Sequence, residues 1–245
     1  MAAEIAFDLS LGHGRCVGVR IPPDPAGVDA LAEALPGNER DRALAFPMPR
    51  RRTFAGGRTA LHAALARLGE PVGPIDADDR GAPILPAGVV GSITHKERMA
   101  AALVDRVHAP GGARIGVDLE IDEARKHDLA SRILRDDELA EIAGLAGDER
   151  QREVLLRFSA KEAIYKAIDP FVRRYVDFKE VALTPAPDGT ARVVMHLRED
   201  EGPFAIEVSW RRFDGVVLTT ARAQPTCSPA RRSSATARAP GASSS

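Results

Sequence analysis

Ile115-Gly116-Val117-Asp118-Leu119-Glu120-Ile121 alternates apolar residues with small or acidic ones, the period-two pattern of a β-strand. On such a strand Val117, Leu119 and Ile121 point to one side, and Gly116, Asp118 and Glu120 to the other. The apolar set can anchor in a core while both carboxylates project together. Downstream, Phe158-Ser159-Ala160-Lys161-Glu162-Ala163-Ile164-Tyr165-Lys166 reads as helix. Val154, Leu155, Phe158 and Tyr165 form its apolar stripe, and Glu162 and Lys166 share a face at i,i+4.

Working outward, Ile5–Leu11 and Arg15–Ile21 flank the hairpin signal Gly12-His13-Gly14. Pro22, Pro23 and Pro25 break the pattern. Helices are expected over Val28–Leu35 and Arg50–Leu68, the second with Phe54, Leu61, Leu65 and Leu68 at helical spacing. The Gly/Pro-rich passage Gly81–Gly88 leads to short strands Val89–Thr94 and Met99–Val104 around a turn at His95-Lys96-Glu97. After the strand Arg114–Ile121, helices are expected over Leu129–Leu134, Asp136–Leu145 and Asp148–Ile168, with Asp148 as N-cap and Pro170 as stop. Four strands close the pattern: Asp177–Leu183, Ala191–Leu197, Phe204–Trp210 and Val216–Ala221, with Pro185-Ala186-Pro187-Asp188-Gly189 as a turn. Helices between short antiparallel strands, in what look like two halves, indicate an α+β fold and not a doubly wound parallel sheet.

The 245 residues suffice for one large domain or two small ones, and 44% hydrophobic with 28% charged residues is ordinary for a globular chain. A net charge of −1 provides no global basic field, so nucleic acid is not an expected partner. Cys16 and Cys227 form no metal or redox motif. The start Met1-Ala2-Ala3-Glu4 lacks a signal-peptide pattern and no apolar run is long enough for a bilayer, so the expectation is a cytoplasmic protein without a membrane partner. From Ala223 on, the chain is Ala, Ser, Pro, Arg and Thr, and is expected to be a disordered tail.

Two carboxylates at i and i+2 are hard-oxygen ligands suited to Mg²⁺. The pair alone, a short and common motif, fits a half-buried strand with a solvated acidic face better. Glu162 with Lys166 alone fits a surface ion pair. Gly91-Ser92-Ile93-Thr94-His95-Lys96 ends a strand with a hydroxyl, an imidazole and an ammonium, groups that bind phosphate, although a single histidine is more often structural. Arg50-Arg51-Arg52 and Arg58 suit bidentate phosphate recognition or a solvated basic face. No Walker A, Rossmann glycine fingerprint or G-x-S-x-G elbow occurs.

In this order, Arg51-Arg52-Thr53-Phe54-Ala55-Gly56-Gly57-Arg58, Gly81-Ala82-Pro83-Ile84-Leu85-Pro86, Gly91-Ser92-Ile93-Thr94-His95, Gly116-Val117-Asp118-Leu119-Glu120 and Ser159 through Lys166 resemble the motifs of the 4′-phosphopantetheinyl transferases of the surfactin and enterobactin synthetase type. The resemblance implies two similar α/β halves in one chain, related by a pseudo-two-fold, with coenzyme A in the cleft between them. With the strand pattern it places the halves at 1–113 and 114–222, before the tail 223–245. It implies transfer of the phosphopantetheine arm of coenzyme A to a serine of an acyl, peptidyl or aryl carrier protein, with release of 3′,5′-ADP.

By the same resemblance, Asp118, Glu120 and Glu162 would hold Mg²⁺, and Glu162 and Lys166 would be catalytic. Arg52, Arg58, Thr94, His95, Lys161, Lys166 and Glu138 would bind coenzyme A. Phe158 stands where many members have Trp, and Thr94 where Ser is usual. Ala82 replaces a phosphate-contacting lysine, for which Arg80 is the candidate substitute. Both halves in one chain imply a monomer, and the serine-histidine turn leans toward secondary metabolism, siderophore, polyketide or nonribosomal-peptide carriers included. Two rival classes are a non-catalytic coenzyme A or nucleotide binding module, which would not need three carboxylates, and a structural protein with a solvated acidic strand.

Overall fold

The computed structural model describes residues 3–70, 73–107, 112–123 and 129–226. The first half opens with the hairpin β1 (Ile5–Leu11) and β2 (Gly14–Arg20). Three helices follow: α1 (Pro25–Glu33), α2 (Gly37–Ala45) and α3 (Met48–Leu68). The hairpin β3 (Val89–Lys96) and β4 (Met99–Arg106) completes an antiparallel sheet of order β1-β2-β4-β3. Asp24 caps α1 by accepting from the Gly27 amide, and Gly69, at φ 78°, ends α3 in the left-handed region that favours glycine. Leu61 and Leu65 of α3 bury against Val17, Val19, Ala102 and Val104 of the sheet.

The second half starts with β5 (Arg114–Ile121), followed by α4 (Ala130–Ile133), α5 (Asp136–Glu141) and the long α6 (Gly147–Val172). Then come β6 (Val181–Pro185), β7 (Ala191–Met195), β8 (Phe204–Phe213) and β9 (Val216–Pro225). The strands form a β5-β9-β8 sheet and a β6-β7 ribbon, all antiparallel. Ala160, Ile164 and Ile168 of α6 bury against Val181, Leu183, Val208 and Ala221. The architecture is thus α+β, short antiparallel sheets packed with helices in two halves.

A third apolar cluster lies between the halves. Ile115, Val117 and Leu119, the apolar face of β5, pack with Cys16, Val90, Ala101 and Leu103 of the first sheet. Phe7 and Phe213 meet edge to face across the same seam, ring centroids 5.2 Å apart. The other side of β5 receives α6 at contact distance. A Cβ on Gly116 would stand 1.9 Å from the Ala163 carbonyl oxygen, so only glycine admits the helix backbone there.

Several expectations need correction, among them the strand expected from Asp177, which starts at Val181 after a helical turn at Phe178–Glu180. α2 was not anticipated: Gly-Asn-Glu-Arg-Asp-Arg is almost wholly polar, and the helix buries Glu39 and Ala43. Asp148 does not cap α6 but lies in its first turn, and Pro170 sits inside its last turn, the helix running on to Val172. His95 and Lys96 belong to β3, opposite Ala100 and Met99, so the turn is Glu97-Arg98. Ala223–Pro225 extend β9, with Ala223 buried in the core, and the remainder of the expected tail, from Cys227 on, lies outside the described residues.

Candidate functional site

The site forms where β3, β5 and α6 meet. β3 and β5 run in the same direction across the seam and are joined by side chains. Ser92 Oγ accepts from the Val117 amide at 3.1 Å, and Thr94 Oγ1 donates to Asp118 Oδ1 at 2.9 Å. Lys96 Nζ lies 2.5 Å from Glu120 Oε1, an ion pair without hydrogen-bond alignment. Strand alternation produces this ladder, because residues 92, 94 and 96 share one face of β3.

Asp118 and Glu120 are buried, not solvated. Asp118 is held from three sides: by Thr94, by Lys166 Nζ at 2.9 Å on Oδ1, and by Ser159 Oγ at 2.9 Å on Oδ2. Ser159 is braced in turn against Thr219 Oγ1 at 2.9 Å. Lys166 also donates to the Val117 carbonyl at 2.9 Å, which fixes its ammonium. Glu162, four residues earlier on the same face of α6, is half-buried and accepts no hydrogen bond among the described residues. Burial first, and then the charges of Asp118 and Glu120, push its carboxyl above the usual range, while Lys166 and Lys96 pull the other way. These influences place three carboxylates and two ammonium groups in one neighbourhood.

His95 points to the other face of β3 and is exposed by area. Enough protein still surrounds the ring for desolvation to lower its pKa, followed by repulsion from Lys166, Arg50 and Lys96. A neutral imidazole ringed by cations is an anion site in waiting. Arg50, stacked over Phe46 with its guanidinium carbon 5.5 Å from the ring centroid, belongs to that rim.

Thr94, Asp118, Glu120, Glu162 and Lys166 therefore come together, with His95 at their edge. Four other expected site residues do not. Lys161 is 1% exposed and points away from the carboxylates: its Nζ donates to Glu138 Oε2 at 2.5 Å and to the Ile133 and Phe178 carbonyls, each at 3.0 Å. Burial lowers its pKa and Glu138 opposes the shift. Glu138 is 2% exposed and also accepts from the Arg135 and Leu183 amides, each at 2.9 Å. The pair ties α4, α5 and β6 to α6.

Arg58 is likewise internal. It donates to the Ile75 carbonyl at 3.0 Å and lies 3.1 Å from buried Glu39, which His62 also contacts at 2.5 Å. Desolvation lowers its pKa, opposed by Glu39. Arg52 donates to the Pro22 and Pro23 carbonyls at 2.7 and 2.9 Å. Arg80 pairs with Asp169 at 2.5 Å, linking the Gly81 loop to the end of α6. Lys96 and Arg50 are phosphate-binding candidates by sequence without an assigned role, and Ser92 and Ser159 stand inside the motifs without one. Lys96 carried one available signal, its i, i+2 spacing from Thr94 on an amphipathic strand.

The donor set suits a hard divalent cation: all carboxylate oxygen, partly desolvated, with like charges crowding Glu162. Among the described residues no three His, Cys, Asp or Glu are yet drawn together tightly enough to hold a metal. Lys96 and Lys166 balance the carboxylates instead.

Two family models match this chain: the 4′-phosphopantetheinyl transferase N-terminal domain over residues 40–105 and the 4′-phosphopantetheinyl transferase superfamily over residues 114–221. The chain is similar to 4′-phosphopantetheinyl transferase Svp of Streptomyces mobaraensis, 37% identical over 70% of this chain and 68% of that protein. It is also similar to 4′-phosphopantetheinyl transferase PptT of Mycobacterium tuberculosis, 32% identical over 80% of this chain and 87% of its relative. Enterobactin synthase component D of Salmonella typhi is 33% identical over 52% of each chain. With both halves matched in order and the carboxylates of β5 and α6 facing one another, the chain belongs to the 4′-phosphopantetheinyl transferase superfamily and is an enzyme of that class.

Proposed function

We propose that this enzyme transfers the 4′-phosphopantetheine arm of coenzyme A to a serine hydroxyl of an apo carrier protein, depends on Mg²⁺ and releases 3′,5′-ADP. The observation that carries this reading is the convergence of Asp118 and Glu120 from β5 with Glu162 and Lys166 from α6, beside the His95 imidazole and the cations Lys96 and Arg50.

Asp118, Glu120 and Glu162 would hold the metal, which when bound supplies charge neutralisation at the diphosphate. The chain's own groups do the rest. Glu162, half-buried and with no hydrogen-bond donor among the described residues, would take the proton of the carrier serine. The serine oxygen then forms a bond to the β-phosphorus, and the bond from that phosphorus to the bridging oxygen breaks. Lys166, rigid on Asp118 and Val117, faces the charge left on 3′,5′-ADP. His95 and Arg50, in place of Arg52 and Arg58, offer the donors for the remaining phosphate.

Similarity to enterobactin synthase component D supports carriers of secondary metabolism as partners. No helix among the described residues is long and apolar enough to cross a membrane. The test is a panel of apo carrier proteins incubated with enzyme, coenzyme A and Mg²⁺ and read by mass. The expected result is addition of one phosphopantetheine, abolished by chelation and restored by Mg²⁺. Full transfer by Asp118→Ala or Glu162→Ala would overturn the assignment of the site.

A further inference from the structure

The two lysines of the carboxylate cluster are held very differently. Lys166 has two aligned hydrogen bonds, to Asp118 Oδ1 and the Val117 carbonyl, and is part of the framework. Lys96 makes one close contact among the described residues, to Glu120, and that contact is charge alone, without hydrogen-bond alignment. The Lys96 side chain is 32% exposed and that of Glu120 4%. Lys96 is thus the solvent-side cover on a buried carboxylate, anchored at the very end of β3 next to the Glu97-Arg98 turn. A long side chain held by one unaligned contact at a strand end loses little when it moves.

Charge balance indicates what it moves for. Among the described residues, Asp118, Glu120 and Glu162 bring three carboxylates to this set and Lys96 and Lys166 two ammonium groups. A divalent cation added to this set leaves one net positive charge, before the Arg50 rim is counted. That excess disfavours metal alone and favours metal that arrives with an anionic diphosphate. The diphosphate also provides a new partner for the ammonium that the metal displaces from Glu120.

Resting on the reading of the site as a metal and diphosphate centre, we infer that Lys96 is an exchangeable placeholder for the metal at Glu120, a positioning residue that couples metal entry to coenzyme A entry. In the substrate-free enzyme its ammonium covers Glu120. When metal and coenzyme A enter together, Glu120 passes to the metal and the ammonium turns to the diphosphate. Metal and coenzyme A then bind with strong positive coupling, each raising the affinity of the other by the same factor.

The experiment is Mn²⁺ titration of the intact protein, with free Mn²⁺ read by electron paramagnetic resonance, with and without coenzyme A. In the wild type, Mn²⁺ alone is expected to bind weakly and coenzyme A to tighten it at least about tenfold. In Lys96→Met, which keeps the stem and removes the charge, Mn²⁺ alone is expected to bind about tenfold more tightly, and the enhancement by coenzyme A to fall toward unity. Lys96→Arg, which retains the cation, is expected to keep the coupling of the wild type. Equal Mn²⁺ affinity and equal enhancement in wild type and Lys96→Met overturn the placeholder while leaving the metal site standing. A wild type that takes up no Mn²⁺ even with coenzyme A overturns the metal reading and the placeholder with it. Circular dichroism and melting of each variant separate a loss of fold from a loss of coupling.

Discussion

At the scale of single residues, one step along a helix separates chemistry from architecture. Lys161 and Glu162 are neighbours in sequence, yet successive helical residues diverge by about 100°. Glu162 turns to the β5 carboxylates, and Lys161 turns to Glu138 and two carbonyls in the interior. The variants should separate accordingly. Glu162→Gln is expected to lower kcat/KM for carrier modification by about 10²–10⁴-fold with little change in melting temperature, as suits a general base. Lys161→Met leaves buried Glu138 only the longer contact to Arg157, at 3.9 Å; a loss of about 3 kcal/mol is expected in urea denaturation, and Lys161→Met with Glu138→Leu should recover part of it. An unchanged unfolding midpoint in Lys161→Met, together with a raised KM for coenzyme A, would return Lys161 to the phosphate site. The carboxylates were legible because strand alternation and a helical i,i+4 pair fix their directions. The internal roles of Lys161, Arg58 and Glu138 were not, because a buried cation and a ligand-binding cation are the same letter, and only the position of Glu39 or Glu138 in space distinguishes them.

At the scale of elements, the site depends on how closely α6 lies on β5. The Ala163 carbonyl occupies the space that a side chain at position 116 would need. Gly116→Ala must push α6 outward and carry Glu162 and Lys166 away from Asp118. The expected outcome is a destabilisation of at least about 2 kcal/mol, from chemical denaturation, together with a loss of transfer activity that persists at temperatures where the variant is fully folded. Gly91→Ala would serve less well as a comparison, since its neighbours include the flexible end of Leu85. The elements that the sequence made plain are those with a strong apolar period, such as β5, α3 and α6. Those it hid are stabilised by polar burial. In α2, Glu39 holds Arg58 and His62, an arrangement that no hydrophobic pattern announces. The turn after β3 was placed too early because His95-Lys96-Glu97 looks like a polar loop, while the pairing of His95 with Ala100 and Lys96 with Met99 keeps both residues in the sheet.

At the scale of the whole molecule, the two halves are joined by the apolar seam beneath β5 and by polar contacts above it. One of these is sensitive to acid. His13, in the β1-β2 turn, is buried and its Nδ1 lies 2.9 Å from Thr220 Oγ1 of β9. Desolvation and then Arg222 hold its pKa below the usual value, although Glu207 and Asp105 pull upward. A histidine whose folded pKa is depressed binds fewer protons in the folded state than in the unfolded one. The native state therefore loses stability as pH falls through the unfolded histidine range, near 6.5, and is indifferent to His13 well above it. Urea midpoints measured from pH 7.5 to 5.5 should fall in the wild type and fall less in His13→Asn. Parallel curves for the two proteins would remove His13 as the cause. The pairing of Ser92, Thr94 and Lys96 on one half with Val117, Asp118 and Glu120 on the other has a further consequence. If the proposed site is the reaction centre, neither half owns it. Two separately expressed pieces, 1–107 and 112–226, would each be inert, and their mixture would label a carrier at a rate that rises with the concentration of both. Phosphopantetheine transfer would then act as a readout of bimolecular reassembly, with the seam as its recognition element.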